Sequence, residues 1–334
     1  MCIRHLARTI FAMAHDNVMT WLLDSDPSLQ FHVQRDLLDA PLSAWSRTRA
    51  RTATEGYGAQ LLAKQDADGQ WAGGAYFPLA DDWQGEPGQP WTATTWSLNM
   101  LRLWGVDAAA LGDTADRLAA NSRWEYDDLP YWGGEVDVCI NAFTVENGLW
   151  LGVDMSPLAH WFVEHTMPDG GFNCEWENGS VRSSFHSTIN ALFALLAYEQ
   201  AGFGTEEITA VRHRAEEYLL ERRLMYSLST GERVGVWAEK FLAIPRYAYS
   251  ALRALDYFRL AARYDGTAPD ARLAGAVELV REKQQPDGRW LNDHHLPGRV
   301  WFDIDEPVGQ PSRNVTLQAL RVLRWIDDDA VDHP

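Results

Sequence analysis

The sequence predicts an all-α protein in which about six helix pairs stack into a ring. Three observations predict it. Long segments space their apolar residues at three and four, near-copies of one loop recur between them, and no convincing run of alternating strand residues appears. A length of 334 residues allows one or two domains. Because helix pairs of this kind bury their apolar faces only by stacking, one domain over residues 17–334 is expected, after a poorly ordered extension over residues 1–16.

The elements follow in chain order. "NVMTWLLDSDPSLQFHVQRDLL" (Asn17 to Leu38) supplies a first helix pair. Apolar helices are then expected to start near Thr94, Asn141, His186, Tyr247 and Asn314, about 45 to 67 residues apart, the order of helix-pair repeats. Each is more uniformly apolar than the helix before it, which favours a closed ring with the apolar helices inside. The loops "KQDADGQW" (Lys64 to Trp71) and "KQQPDGRW" (Lys283 to Trp290) share the pattern Q-x-x-x-G-x-W, and "MPDGGFNCEW" (Met167 to Trp176) is a degenerate third. Mechanically, Gln is expected to cap a helix end, Gly to take a positive-φ turn and Trp to stack on the neighbouring repeat.

Charge and cysteine usage narrow the function. With 29 Lys and Arg against 47 Asp and Glu, the net charge is −18. Such a surface repels phosphate backbones and anionic lipid, which argues against nucleic acid and membrane surfaces as partners. Three cysteines (Cys2, Cys139, Cys174) make no disulfide framework and point to a reducing, cytoplasmic setting. The start "MCIRHLARTIFAMA" is interrupted by Arg8 and reads poorly as a secretory signal; Met13 is an equally good start. No apolar run approaches the roughly 18 residues of a membrane span. Sixteen tryptophans suggest an aromatic-lined pocket for an apolar or cationic small molecule.

The Q-x-x-x-G-x-W loops resemble the QW repeats of squalene and terpenoid cyclases and of protein prenyltransferase β subunits, over about residues 60 to 326. That resemblance implies an α/α toroid whose inner helices surround a central cavity. Within it, "EVDVCINAFTVENGLWLG" resembles the prenyltransferase segment with an Asp-x-Cys pair at an inner helix start, and "DGGFNCEWENGSVRSSFHSTINALFALLAYEQAG" the segment with its His. The resemblance therefore implies Asp137, Cys139 and His186 as ligands of a zinc ion. Carboxylate, thiolate and imidazole are the donor set of a catalytic zinc with one open position. A helix start favours the anions, and the cation would keep Cys139 a thiolate. Taken singly, an Asp before a helix is more often a cap and a lone Cys a small core residue. Cys174 and Glu175 are candidate substitute or fourth ligands.

The pattern departs from the prenyltransferases where they grip diphosphate. Tyr131, Trp132, Gly133, Gly134, Glu135 and Ile140 include no Lys or Arg, Phe185 precedes His186 where those enzymes have tyrosine, and nothing points to an α-subunit partner. Arg246 and Arg313, each at the head of an apolar helix, are candidates to hold a carboxylate or phosphate, with Trp132 and Tyr247 as further contacts to a small-molecule substrate. The expected activity is a zinc-dependent transfer of an alkyl- or prenyl-type group, or lyase chemistry. A class II terpenoid cyclase is the alternative, since "FDIDEP" (Phe302 to Pro307) is near the Asp-x-Asp-Asp motif of those enzymes and would make Asp305 the acid. A ligand-binding toroid without catalysis is the other. His294 and His295, beside Asp293, read as a loop pair that is either exposed or metal-binding.

Overall fold

The computed structural model describes residues 16–79 and 87–332. Among them are thirteen helices and no strand: α1 (16–23), α2 (Pro27–Asp36), α3 (Leu42–Arg51), α4 (Gly56–Leu62), α5 (Thr94–Leu103), α6 (Thr114–Asn121), α7 (Val138–Trp150), α8 (Ser156–Glu164), α9 (Phe185–Tyr198), α10 (Glu206–Glu221), α11 (Ala251–Asp265), α12 (Ala274–Glu282) and α13 (Arg313–Asp332). The protein is all-α, as the apolar spacing predicts. Apart from its last residue, where α1 begins, the expected extension over 1–16 lies outside the described residues, as do Cys2 and Met13. No helix among the described residues is long and apolar enough to cross a membrane.

The helices fall into two sets. α5, α7, α9, α11 and α13 each pack on the next of the set, while α8 lies against α7 and α9, α10 against α9, and α12 against α11 and α13. The first set carries the apolar character: Val138 to Val145 of α7 are all buried, as are Ile189, Ala191, Leu192, Ala194, Leu195 and Leu196 of α9. α10 instead keeps an acidic first turn (Glu206, Glu207) and buries mainly one face.

Helix starts fall at or near the expected residues, with one informative exception. α11 begins at Ala251, not Tyr247, because Ser250 takes extended geometry and its side chain accepts from the Arg253 N–H at 3.2 Å. Arg246, at φ 52°, is left-handed and cannot belong to the helix. Arg246 and Tyr247 thus lie in the loop before α11.

The repeated loops are staples, but with the parts exchanged. Gly69, Gly170 and Gly288 take φ of 93°, 92° and 84°, as expected of turn glycines. The helix end is capped by the tryptophan: Trp71 Nε1 donates to Leu61 O at 2.9 Å and Trp290 Nε1 to Val280 O at 2.7 Å. The backbone N–H groups of Trp71, Phe172 and Trp290 donate to Thr94, Thr188 and Thr316 at the heads of α5, α9 and α13. The Trp71 and Trp290 loops therefore lock one helix end to the next helix start, whereas Trp176 Nε1 in the third loop donates to Val136 O at 2.8 Å. Gln65 and Gln284 close the turn itself, donating to Gly69 O and Gly288 O at 3.0 and 3.3 Å.

Candidate functional site

The start of α7 brings Cys139 into a cluster with Trp91, Trp96 and Phe143, against which Tyr76, Cys174, Tyr247 and Leu296 pack. Cys174 belongs to a short 3-10 turn, Cys174–Trp176, just before α9. Its sulfur is 3.4 Å from that of Cys139, and Ser187 Oγ donates to it at 3.3 Å. Asn190, one turn into α9, donates from Nδ2 to Cys139 Sγ at 3.3 Å, while its Oδ1 accepts from Arg253 Nη2 at 2.7 Å. The hydrogen bond between the thiols, together with burial, raises Cys139 well above the ordinary thiol value; the same bond lowers Cys174. Cys174 therefore ionises first.

Asp137 stands at the head of α7 without capping it: no helix N–H bonds to its side chain. Burial, then the charge of Glu175, raises its pKa, and a hydrogen bond with Cys174 partly offsets this. Asp137, Cys139 and Cys174 thus share one corner of the site, and the sequence order Asp-x-Cys does what the helix start allows.

His186 turns elsewhere. Its Nδ1 accepts the Tyr249 N–H at 2.9 Å, so the neutral ring carries its proton on Nε2. A metal-bound histidine has the reverse arrangement, with the second nitrogen donating. Burial and the nearby Arg253 charge hold His186 down at about 4, so the ring is neutral at pH 7. It lines a cavity of about 220 Å³ with Trp237, Lys240, Tyr247, Tyr249, His294 and Leu296. His186, Tyr247 and His294 do come together, then, but in a pocket that the two thiols do not line. Among the described residues no three His, Cys, Asp or Glu side chains form a group able to hold a metal. The trio Asp137, Cys139 and His186 does not fit a zinc ion in this arrangement.

Arg246 lies against Trp91. Its guanidinium is 5.1 Å from the Trp91 ring centroid, and Nη1 is buried without a hydrogen-bond partner among the described residues. Burial alone brings it down to about 9. A second, narrow pocket of about 20 Å³ is lined here by Arg246 with Trp91, Trp96, Met100, Trp301 and Phe302.

The remaining candidates have partners of their own. Trp132 is half-buried, donates from Nε1 to Ala115 O at 3.0 Å and meets Tyr131 edge-on at 4.8 Å; it is a packing residue. Arg313 donates to Trp21 O, lies 4.8 Å from the Trp21 ring and is 3.7 Å from Glu306. Asp305 Oδ2 accepts from Ser312 Oγ at 2.6 Å and Asn314 Nδ2 at 2.9 Å, and Oδ1 from the Glu306 N–H at 2.8 Å. Its two oxygens are thus held by three donors from the residues leading into α13 and at its head. Arg313 and Asp305 line a separate acidic cleft with Asp24, Asp26 and Asp303.

Sequence reasoning missed Asn190 and Arg253, which orient the thiol, and the neighbouring chain in which Asn147 donates to Asn99 at 2.8 Å and Arg102 donates to Asn147 at 3.1 Å and Glu146 at 2.9 Å. The trace was there: asparagines recur inside the most apolar helices, and a polar side chain in such a place is the informative exception.

No family model matches the chain, and no curated protein matches it. A crystal structure of a protein from Actinoplanes is similar to it, with a TM-score of 0.45 and 16% sequence identity over 91% of this chain and 90% of that one.

Proposed function

We propose that this chain is an enzyme of α/α-toroid architecture that receives a small, partly apolar anion at Arg246, the narrow aromatic pocket of about 20 Å³ there widening to admit it, and transfers an alkyl-type group from it. The path of helix contacts supports the architecture: it runs from α5 through α7, α9, α11 and α13 to α2, and from α2 through α4 back to α5. The observation that carries the chemistry is Arg246, half-buried, whose buried Nη1 has no hydrogen-bond partner among the described residues and whose guanidinium lies on the same tryptophan that packs toward the thiols. A desolvated cation with no counter-ion among the described residues gains most when an anion arrives, and gains more as negative charge builds on a leaving group. Trp91, Trp96 and Trp301 cover the apolar part and favour any positive charge that develops on carbon. Cys174, the thiol that ionises first, is the candidate nucleophile.

Calorimetric titration of the purified chain with an isoprenoid diphosphate, and with a carboxylate of matching chain length, tests this. One site per chain is expected for at least one of them, weakened about tenfold or more in Arg246→Gln, equivalent to roughly 1.4 kcal/mol. Heat unchanged by the substitution, or no heat from either compound, contradicts the reading. Binding without turnover identifies a ligand-binding toroid. One zinc per chain, lost in Cys139→Ala, replaces the reading with the zinc-dependent transfer that the resemblance implies, with His186 released from Tyr249.

A further inference from the structure

We propose that Cys139 and Cys174 are a redox pair, which a peroxide closes into a disulfide joining the start of α7 to the turn before α9. The inference does not depend on what the Arg246 pocket binds. The two sulfurs are already in contact at 3.4 Å, and they come from elements 35 residues apart in sequence. A disulfide needs them near 2.05 Å, an approach of about 1.4 Å that side-chain rotation and a small shift of the short 3-10 turn supply. Both cysteines are free thiols. Their burial differs: Cys139 is 8% exposed, whereas Cys174 is only half-buried, so an oxidant reaches Cys174 first. Ser187 Oγ, donating to that sulfur, stabilises the thiolate. This is the arrangement of a reactive thiol beside a resolving one.

The steps balance. The Cys174 thiolate attacks hydrogen peroxide; an S–O bond forms, the O–O bond breaks, and hydroxide leaves. Cys139 sulfur then attacks the sulfenic acid; the S–S bond forms, the S–O bond breaks, and water leaves with the Cys139 proton. Two electrons pass from the thiol pair to the peroxide. A dithiol reductant reverses the bond by exchange. Closure ties the 3-10 turn to the head of α7.

The test uses the full chain with Cys2→Ser, so that only the pair remains. After brief exposure to near-stoichiometric hydrogen peroxide, peptide mapping without reductant should find the Cys139 and Cys174 peptides joined, both free thiols lost together, and both regained with dithiothreitol. Cys139→Ser should instead leave a sulfenic acid at Cys174 that dimedone traps, while Cys174→Ser should leave Cys139 at least tenfold slower to oxidise. The proposal is overturned if the unsubstituted pair stays fully titratable under peroxide that oxidises glutathione, or if Cys174 passes to sulfinic acid with Cys139 still free. These outcomes are read from the thiols alone, so failure of the Arg246 reading leaves them intact.

Discussion

His32 shows how a single ring can set a pH dependence. Its Nε2 bonds to Leu103 O at 3.0 Å and its Nδ1 faces Arg35 Nη2 at 3.0 Å. The neutral tautomer satisfies both contacts, donating to the carbonyl and accepting from the guanidinium; a proton on Nδ1 would point at the arginine. Burial first, then Arg321, lowers this histidine from 6.5 to about 4. A folded value below the unfolded one means that its stabilisation is complete above pH 6.5 and is lost as pH falls through 4. His32→Gln is expected to abolish a loss on the order of 3 kcal/mol between those limits, read as the difference between wild-type and variant urea midpoints at pH 7 and pH 4. A difference that does not change with pH would contradict the assignment. At the site itself, the sequence reveals residue types better than orientations. Asp137 and Cys139 are two apart at a helix start, so their convergence is a local property and could be read. Whether His186 aims at them depends on which backbone N–H of the loop before α11, 63 residues later, it meets, and no local pattern carries that.

The helices themselves were legible because their burial is nearly one-sided or complete, and the 3.6-residue period records it. The staples between them were legible as repeats, though not in their bonding. A glutamine amide and an indole N–H are both donors, and only the fold decides which one reaches the helix end. Trp290 is fully buried and donates at 2.7 Å to Val280 O, in the last turn of α12. Trp290→Phe keeps most of the apolar volume but leaves that carbonyl unpaired, and is expected to cost about 1 to 3 kcal/mol. Denaturant unfolding measures it. If Trp290→Phe matches wild type while Gln284→Ala is strongly destabilised, the capping role belongs to glutamine as the sequence pattern alone suggests. Arg246 and Tyr247 mark the other limit of legibility. Helical spacing continues through them, yet a left-handed Arg246 and the Ser250 cap move the start of α11 to Ala251. A residue held at positive φ without being glycine stores strain, and such strain collects where a side chain is being aimed.

Across the whole molecule, the negative charge of −18 and the half-buried cation pull in opposite directions. The outer surface repels anions, while in the proposed function Arg246, half-buried among tryptophans, receives one. Composition reveals the first part, since it only needs counting. The second arises because chain segments around Trp91, Arg246 and Trp301 meet in one pocket, a long-range arrangement that repeats and periodicity do not encode. The most direct test is a crystal structure of the chain with the tightest-binding isoprenoid diphosphate or carboxylate from the titration. The anionic group is expected within hydrogen-bond distance of Arg246 Nη1, with the hydrocarbon among Trp91, Trp96 and Trp301. An anionic group found at Arg313 in the acidic cleft, or on a metal ion beside Cys139, would contradict the account.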